Sequence, residues 1–147
     1  MIIVVDLDGT LCDSAHREHL ARAKDWDQFH ALIGEDEVHA DVHRFLDICQ
    51  GNHAIVALTG RNDRYRGATL AWMRRKGIDN LFEEILMRSE DNYEPDHELK
   101  PRLLDEWLTA NGHDHNDVWL ILEDRDKVVE AWRNLGHNAW QPRSGGY

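Results

Sequence analysis

The amino-acid sequence predicts an α/β protein, a three-layer α/β/α sandwich built around a mostly parallel, Rossmann-like sheet. Three observations carry that expectation. Short apolar runs alternate along the 147 residues with stretches of helical periodicity. Glycines 51, 77, 112 and 136 stand just past the helical stretches, where a left-handed residue is easiest to supply. Strands that alternate with helices pair in parallel through right-handed crossovers, which puts helices on both faces of the sheet.

In chain order, strands are expected at MIIVV (1–5), HAIVAL (53–58), EEILM (83–87), VWLIL (118–122) and HNAW (137–140). Helices fit residues 39–50, 64–76, 101–110 and 126–135. The length favours one domain over residues 1–147, with a core that six tryptophans help to fill. Residues 12–37 break the rhythm with polar, weakly helical pieces and read as a small flap or cap above the exit of the first strand.

Composition narrows the function. A hydrophobic share of 41% and a charged share of 31% describe an ordinary globular chain, and the five apolar residues before Asp6, with no basic leader, fit neither a signal peptide nor a membrane span. A cytoplasmic protein is expected. Cys12 and Cys49 are the only cysteines, too few for a disulfide framework or a cysteine-based zinc site. The net charge of −11 disfavours tracking along a nucleic-acid duplex but leaves room for one phosphate, or a strand end, in a locally basic pocket.

The chemistry gathers at strand ends. DLDGT follows the most apolar strand, and alternation along a strand would point Asp6 and Asp8 the same way with Leu7 opposite. Two like charges held together call for a cation or a shared proton. TGR after the second strand places Thr59 and Arg61, EDRD after another places Glu123 and Asp124, and Lys100 opens a helix just before Pro101. In open α/β sheets ligands bind beyond such carboxyl ends. Four converging carboxylates, Asp6, Asp8, Glu123 and Asp124, form an all-oxygen set suited to Mg²⁺, while Thr59, Arg61 and Lys100 suit a tetrahedral oxyanion. The bound group is expected to be a phosphoryl, with Asp6 as nucleophile and Asp8 as acid and base.

The motifs DLDGT, LTGR, Lys100 before Pro101 and LEDRD, in that order, resemble those of the haloacid dehalogenase superfamily of aspartate-dependent phosphatases. The resemblance implies that Asp6, the backbone carbonyl of Asp8, and Asp124 bind Mg²⁺ directly, with Glu123 acting through water. The second aspartate, absent from family dehalogenases, points to phosphate-ester hydrolysis, and the short segment after Cys12 leaves no room for a large helical cap. A further likeness, sharpest in LILEDRDKVVEAWRNLGHNAWQPRSGGY, is to the phosphatase domain of bacteriophage and bacterial polynucleotide kinase-phosphatases, which remove 3′ phosphates from nucleic-acid ends before ligation.

That likeness adds Arg17, as a contact to the substrate phosphate or strand end, and Asp96, as the residue orienting Lys100 or a neighbouring donor. It also implies a phosphorylated DNA or RNA end as substrate and a separate kinase or ligase as partner, since no G-x-x-x-x-G-K-[ST] loop occurs in this chain. Glu123 stands where those domains usually have aspartate, and the stretch between Arg17 and His39 departs from them. A free nucleotide (5′-nucleotidase activity) or another small phosphate ester is the competing substrate. A phosphate-binding module without turnover is the non-enzymatic alternative.

Other residues read as structural. His39 with His43, and His113 with His115, lack a third ligand at zinc-site spacing. His16 and His19 fit a solvated flap helix as well as a substrate contact. Arg74, Arg75 and Lys76 complement a helix C-terminus, whereas Arg64 and Arg66 could extend a positive rim. Trp107, Trp119 and Trp132 fall at core-like positions. Trp26 and Tyr65 could stack on a base, though core or surface packing is the better explanation of each.

Overall fold

A computed structural model of the chain describes residues 1–145. Strand β1 (Ile2–Val5) lies at the centre of a five-stranded parallel sheet with β4 (Ala54–Asn62) on one side and β6 (Val118–Leu122) on the other. Val4 pairs with Val56 and with Ile121. Strand β5 (Glu84–Arg88) extends the sheet beyond β4, and β7 (Ala139–Trp140) extends it beyond β6. All four residues of β1 are buried, as a β-branched run flanked by strands and covered on both faces should be.

Alternation along β1 divides the core. Ile3, Val5 and Leu7 face a cluster with Leu46, Trp72 and Met73, supplied by helices α3 (Ala40–Cys49) and α4 (Arg66–Lys76). Ile2 and Val4 face Leu104, Leu108, Val128 and Trp132, supplied by α5 (Asp96–Ala110) and α6 (Asp126–Asn134). The chain leaves β1 for β4 on one side and returns through α5 to β6 on the other, so the strand order reverses at the end of β1. A crevice opens at such a reversal.

Between β1 and α3 the chain makes an excursion that leaves and returns on a two-residue antiparallel pair, β2 (Cys12–Asp13) and β3 (Glu37–Val38). It carries the short helices α1 (Glu18–Arg22) and α2 (Trp26–Ala31); the Asp25 side chain caps α2 by accepting from the Gln28 N–H. Ile33 is buried in the core beside α4, and the Trp72 indole donates to the Asp36 carbonyl at 2.8 Å, which ties the excursion to the sheet domain.

Four sequence expectations need correction. β4 does not stop at Leu58: it continues through Thr59–Arg61 and regains pairing where Asn62 meets Arg88 of β5. Helix α5 begins at Asp96, not at 101, so Lys100 and Pro101 sit inside it. Pro95 at the N-cap and the carboxylates of Asp96 and Glu98 in the first turn supply an earlier start, and the helix tolerates the loss of one N–H donor at Pro101. Gly77, Gly112 and Gly136 adopt positive φ, but Gly51 does not, because α3 ends in a turn through Gln50 in right-handed conformation. Finally, the expected strand at 137–140 is only two residues long.

Candidate active site

The Asp6 N–H donates to the Leu122 carbonyl at 2.9 Å and carries the β1–β6 ladder one residue past the strand. The chain then turns: Thr10 and Leu11 donate back to the Leu7 carbonyl, and Gly9, at φ +86°, donates to the Cys12 carbonyl. A Cβ on Gly9 would lie 2.2 Å from Asp124 Oδ2, so position 9 needs glycine for both its backbone and its neighbour.

This turn separates the two aspartates, whose side chains the alternation rule would have aimed together. The Asp6 carboxylate accepts from Lys100 Nζ at 2.8 Å and from Thr10 Oγ1 at 3.3 Å. Asp8 instead meets two guanidiniums: Arg61 donates to it through Nε at 3.0 Å and through the Nη2 nitrogen at 2.7 Å, and Arg17 makes a further, short contact. Burial would raise the Asp8 pKa, but the charges and hydrogen bonds of Arg61 and Arg17 override it and hold the carboxyl well below the usual range.

Asp6, Glu123 and Asp124 offer carboxylate oxygens within 4.8 Å of one another, all buried. Lys100, buried in α5, donates to Glu123 Oε2 at 2.6 Å as well as to Asp6, and Thr10 Oγ1 bridges Asp6 and Asp124. Burial and the Glu123 charge raise Asp6 well above its ordinary value against the opposing Lys100, and the same two causes push Asp124 up to about 7. Fully ionised, three carboxylates against one ammonium would leave two negative charges uncompensated, which is what holds protons on Asp6 and Asp124 until a cation takes their place. That donor set fits a divalent, oxygen-seeking cation, and Asp6, Glu123 and Asp124 are the side chains that would hold it. The Asp8 carboxylate lies in a different group, with Cys12 and Asp36, which Arg17 and Arg61 already neutralise.

Of the remaining expected residues, Thr59 is fully buried and its Oγ1 accepts from the Arg61 N–H at 3.2 Å. Asp96 makes no hydrogen bond to Lys100. Its oxygens take Arg88 at 2.5 Å and Arg125 at 2.6 Å, so the donors it orients are those two arginines. Asp6, Asp8, Arg61, Asp96 and Lys100 all line one cavity of about 490 Å³, whose walls also include α2 and the β5–α5 loop.

Several participants escaped the sequence reading. Asp36, the counter-ion of Arg17 at 2.8 Å from its Nε, lies in an acidic run that looks like a solvated surface. Arg88 has no motif around it, and Arg125 and Thr10 were visible only as members of LEDRD and DLDGT. Among the described residues, the groups of three or more potential ligands close enough to share an ion contain no histidine.

The class of protein is a phosphatase of the haloacid dehalogenase superfamily, with a buried carboxylate beside a lysine and an acidic pair at the reversal point of its parallel sheet. The family model described as the polynucleotide kinase PNKP phosphatase domain matches residues 1–147, and the chain belongs to that family. A chain of the Pnkp1/Rnl/Hen1 RNA repair complex superposes with a TM-score of 0.80 at 24% identity, over 99% of this chain and 43% of that one. This chain thus spans under half the length of that relative. A haloacid dehalogenase-like hydrolase from Streptococcus pneumoniae (TM-score 0.71, 14% identity, 95% of this chain and 83% of that one) shares the fold. So does a protein from Clostridium difficile (TM-score 0.71, 15% identity, 94% and 82%). The final residues of the C-terminal run that resembles this family, Gly146 and Tyr147, lie outside the described residues. Among the described residues no helix is long and apolar enough to cross a membrane.

Proposed function

We propose that the protein is a Mg²⁺-dependent phosphomonoesterase that works through an aspartyl-phosphate on Asp6 and removes 3′ phosphates from DNA or RNA ends. The observation that carries the reading is the Asp6 carboxylate, held at 2.8 Å by Lys100 beside Glu123 and Asp124 and facing an open cavity. Asp6 attacks phosphorus and the ester oxygen leaves, taking its proton from Asp8. Asp8 then removes a proton from the water that hydrolyses the acyl phosphate, returning Asp6 to its starting state. Bound Mg²⁺ supplies charge neutralisation between the carboxylates and the phosphoryl oxygens. Lys100 holds the nucleophile in place and shares that neutralisation.

Arg17 and Arg61 give the acid and base its timing. Both hold Asp8 ionised in the free protein, and both are donors that an arriving phosphate dianion recruits. Once they turn to the phosphate, Asp8 is free to take up the proton it must deliver. Residues 12–37 act as a minimal cap that leaves the cavity open to a strand end. The likeness to a chain from an RNA repair complex supports a nucleic-acid end as substrate and a separate kinase or ligase as partner.

The test is phosphate release, with Mg²⁺, from a 3′-phosphorylated oligonucleotide, a 5′-phosphorylated one and mononucleotides. Preference for the 3′-phosphorylated oligonucleotide supports the reading. Mononucleotide turnover far above both oligonucleotides replaces it with a nucleotidase, and tight phosphate binding without release from any substrate makes the protein a binding module.

A further inference from the structure

We infer that Trp26 and Tyr93 form a stacking site for the nucleobase next to the phosphate under attack. The inference rests on the nucleic-acid reading above and adds how such a substrate is gripped. Both rings line the cavity that reaches Asp6 and Lys100, Trp26 from the start of α2 and Tyr93 from the loop between β5 and α5. Tyr93 is 89% exposed and Trp26 49% exposed. Among the described residues Tyr93 has no hydrogen bond or ring partner, and Trp26 meets only the edge of Phe29, with ring centroids 5.7 Å apart.

An aromatic ring left in water on a slack loop would be unremarkable, but this loop is braced on both sides of Tyr93. Arg88 donates to Asn92 Oδ1 at 3.0 Å and to the Glu94 carbonyl at 2.6 Å, the Glu94 N–H donates to Asn92 Oδ1 at 2.9 Å, and Arg102 pairs with the Glu94 carboxylate at 2.5 Å. Arg88 also holds Asp96 at the first turn of the helix that carries Lys100. The same arginine therefore braces the backbone on both sides of Tyr93 and the first turn of the helix that carries Lys100, so the point from which the Tyr93 ring springs keeps a fixed relation to the phosphate site. A braced backbone at the mouth of a phosphate-holding cavity suits a flat ligand attached to that phosphate, because only the two side-chain torsions of the tyrosine remain to be ordered on binding.

Tyr65, the other candidate ring, is already engaged. It stacks on His30 at 4.1 Å and 4°, donates its hydroxyl to Asp27 at 3.0 Å, and lies beside the Arg64 guanidinium. It fastens α2 to the body of the domain and so steadies Trp26. Arg64 and Lys127 line the same cavity and offer charge to the neighbouring phosphodiester.

The experiment compares kcat/KM for a 3′-phosphorylated oligonucleotide ending in a normal nucleotide with that for the same oligonucleotide ending in an abasic 3′-phosphate. The expected ratio in the unaltered protein is about tenfold or more, the size of one base-on-ring stack. Trp26→Ala and Tyr93→Ala should each lower the ratio several-fold, and Tyr93→Phe should restore it; a purely structural role would lower both rates and leave the ratio alone. A ratio near one in the unaltered protein, with both oligonucleotides turned over, overturns the stacking site and leaves the nucleic-acid reading standing. Failure on both oligonucleotides, with turnover of a nucleoside 3′-phosphate, overturns the strand-end reading. The stack is then decided by the same ratio for nucleoside phosphate over ribose phosphate.

Discussion

The ammonium of Lys100 stands 2.8 Å from Asp6 Oδ1 and 2.6 Å from Glu123 Oε2, with all three groups buried. Burial alone would lower the lysine pKa, yet the Asp6 and Glu123 charges raise it, so the site keeps its cation. Lys100→Met removes that charge and leaves three carboxylates to share protons. We expect kcat to fall by about a hundredfold or more, as when one preorganised electrostatic donor is lost. Thermal melting should show destabilisation of about 3 kcal/mol, the scale of a broken buried ion pair. Steady-state kinetics with unaltered kcat would remove Lys100 from the mechanism.

Asp6→Asn keeps the shape of the nucleophile and abolishes its charge. Because Asp6 is raised chiefly by burial and then by Glu123, removing its charge relieves repulsion, and the variant should fold at least as well as the parent. Activity should drop by about a thousandfold or more, and acid quenching during turnover should trap no phosphorylated protein, whereas the parent should yield a labile acyl phosphate. Appreciable turnover by the variant would relocate the nucleophile.

Asp6 and Asp124 both have folded-state pKa values above their ordinary ones, Asp124 at about 7. Between the ordinary carboxylate value near about 4 and the raised one, the folded state binds more protons than the unfolded, so metal-free stability falls as pH rises through that window. Cation binding needs the ionised forms, and its stabilisation grows over the same window. Melting curves with and without Mg²⁺ should therefore differ little near about pH 5 and by roughly 5 °C or more near about pH 8 at saturating cation. A Mg²⁺ shift independent of pH would contradict the clustered-carboxylate site.

The parallel sheet, its most apolar strand and the placing of polar motifs at strand ends could be read from the sequence because each is written locally: an apolar run, then a polar motif. What escaped is pairing across the fold. Asp8 was visible, but its turn away from Asp6 depends on the positive φ of Gly9 and on Arg17 and Arg61 arriving from elsewhere in the chain. Asp96 was visible, but its partners Arg88 and Arg125 come from a strand and a loop that local patterning cannot bring together. The helix boundary at 96 was missed because Pro101 looks like a first-turn proline, and Pro95, which fills the N-cap, was passed over.

Gly9 and Gly145 flank Asp124: a Cβ would stand 2.2 Å from Asp124 Oδ2 at position 9 and 2.5 Å at position 145. Gly9→Ala adds the cost of positive φ, about 1–2 kcal/mol, to that overlap, and should displace Asp124 enough to lower kcat/KM by about tenfold or more. Gly67 is the internal control. It lies in the first turn of α4 with no atom within 4 Å of an added Cβ, so Gly67→Ala should stabilise the fold by about 0.5–1 kcal/mol and leave turnover alone. Denaturant midpoints and kinetics on the three proteins decide it.

Asp36 anchors Arg17 and Arg61, the two arginines proposed to meet the phosphate. Fully buried, it accepts from Arg17 Nε at 2.8 Å and from the Arg17 Nη2 nitrogen at 2.5 Å, lies 3.5 Å from Arg61, and meets His16 at 2.7 Å. Asp36→Asn keeps the volume and removes the charge. Arg17 then has only Asp8 to balance it, and its guanidinium loses the second carboxylate that fixes its plane. Because the phosphate contact depends on that orientation while the nucleophile, Lys100 and the acidic cluster are untouched, KM should rise by about tenfold with a smaller change in kcat. Stability should fall by about 3 kcal/mol. A double-mutant cycle with Arg17→Lys should give a coupling of about 1–3 kcal/mol in the melting data, as expected for groups in one buried network. Additive effects would show that Arg17 is positioned only by Asp8 and by Phe29, whose carbonyl accepts from Arg17 Nη1 at 3.3 Å, and that the acidic run before α3 is a solvated edge after all.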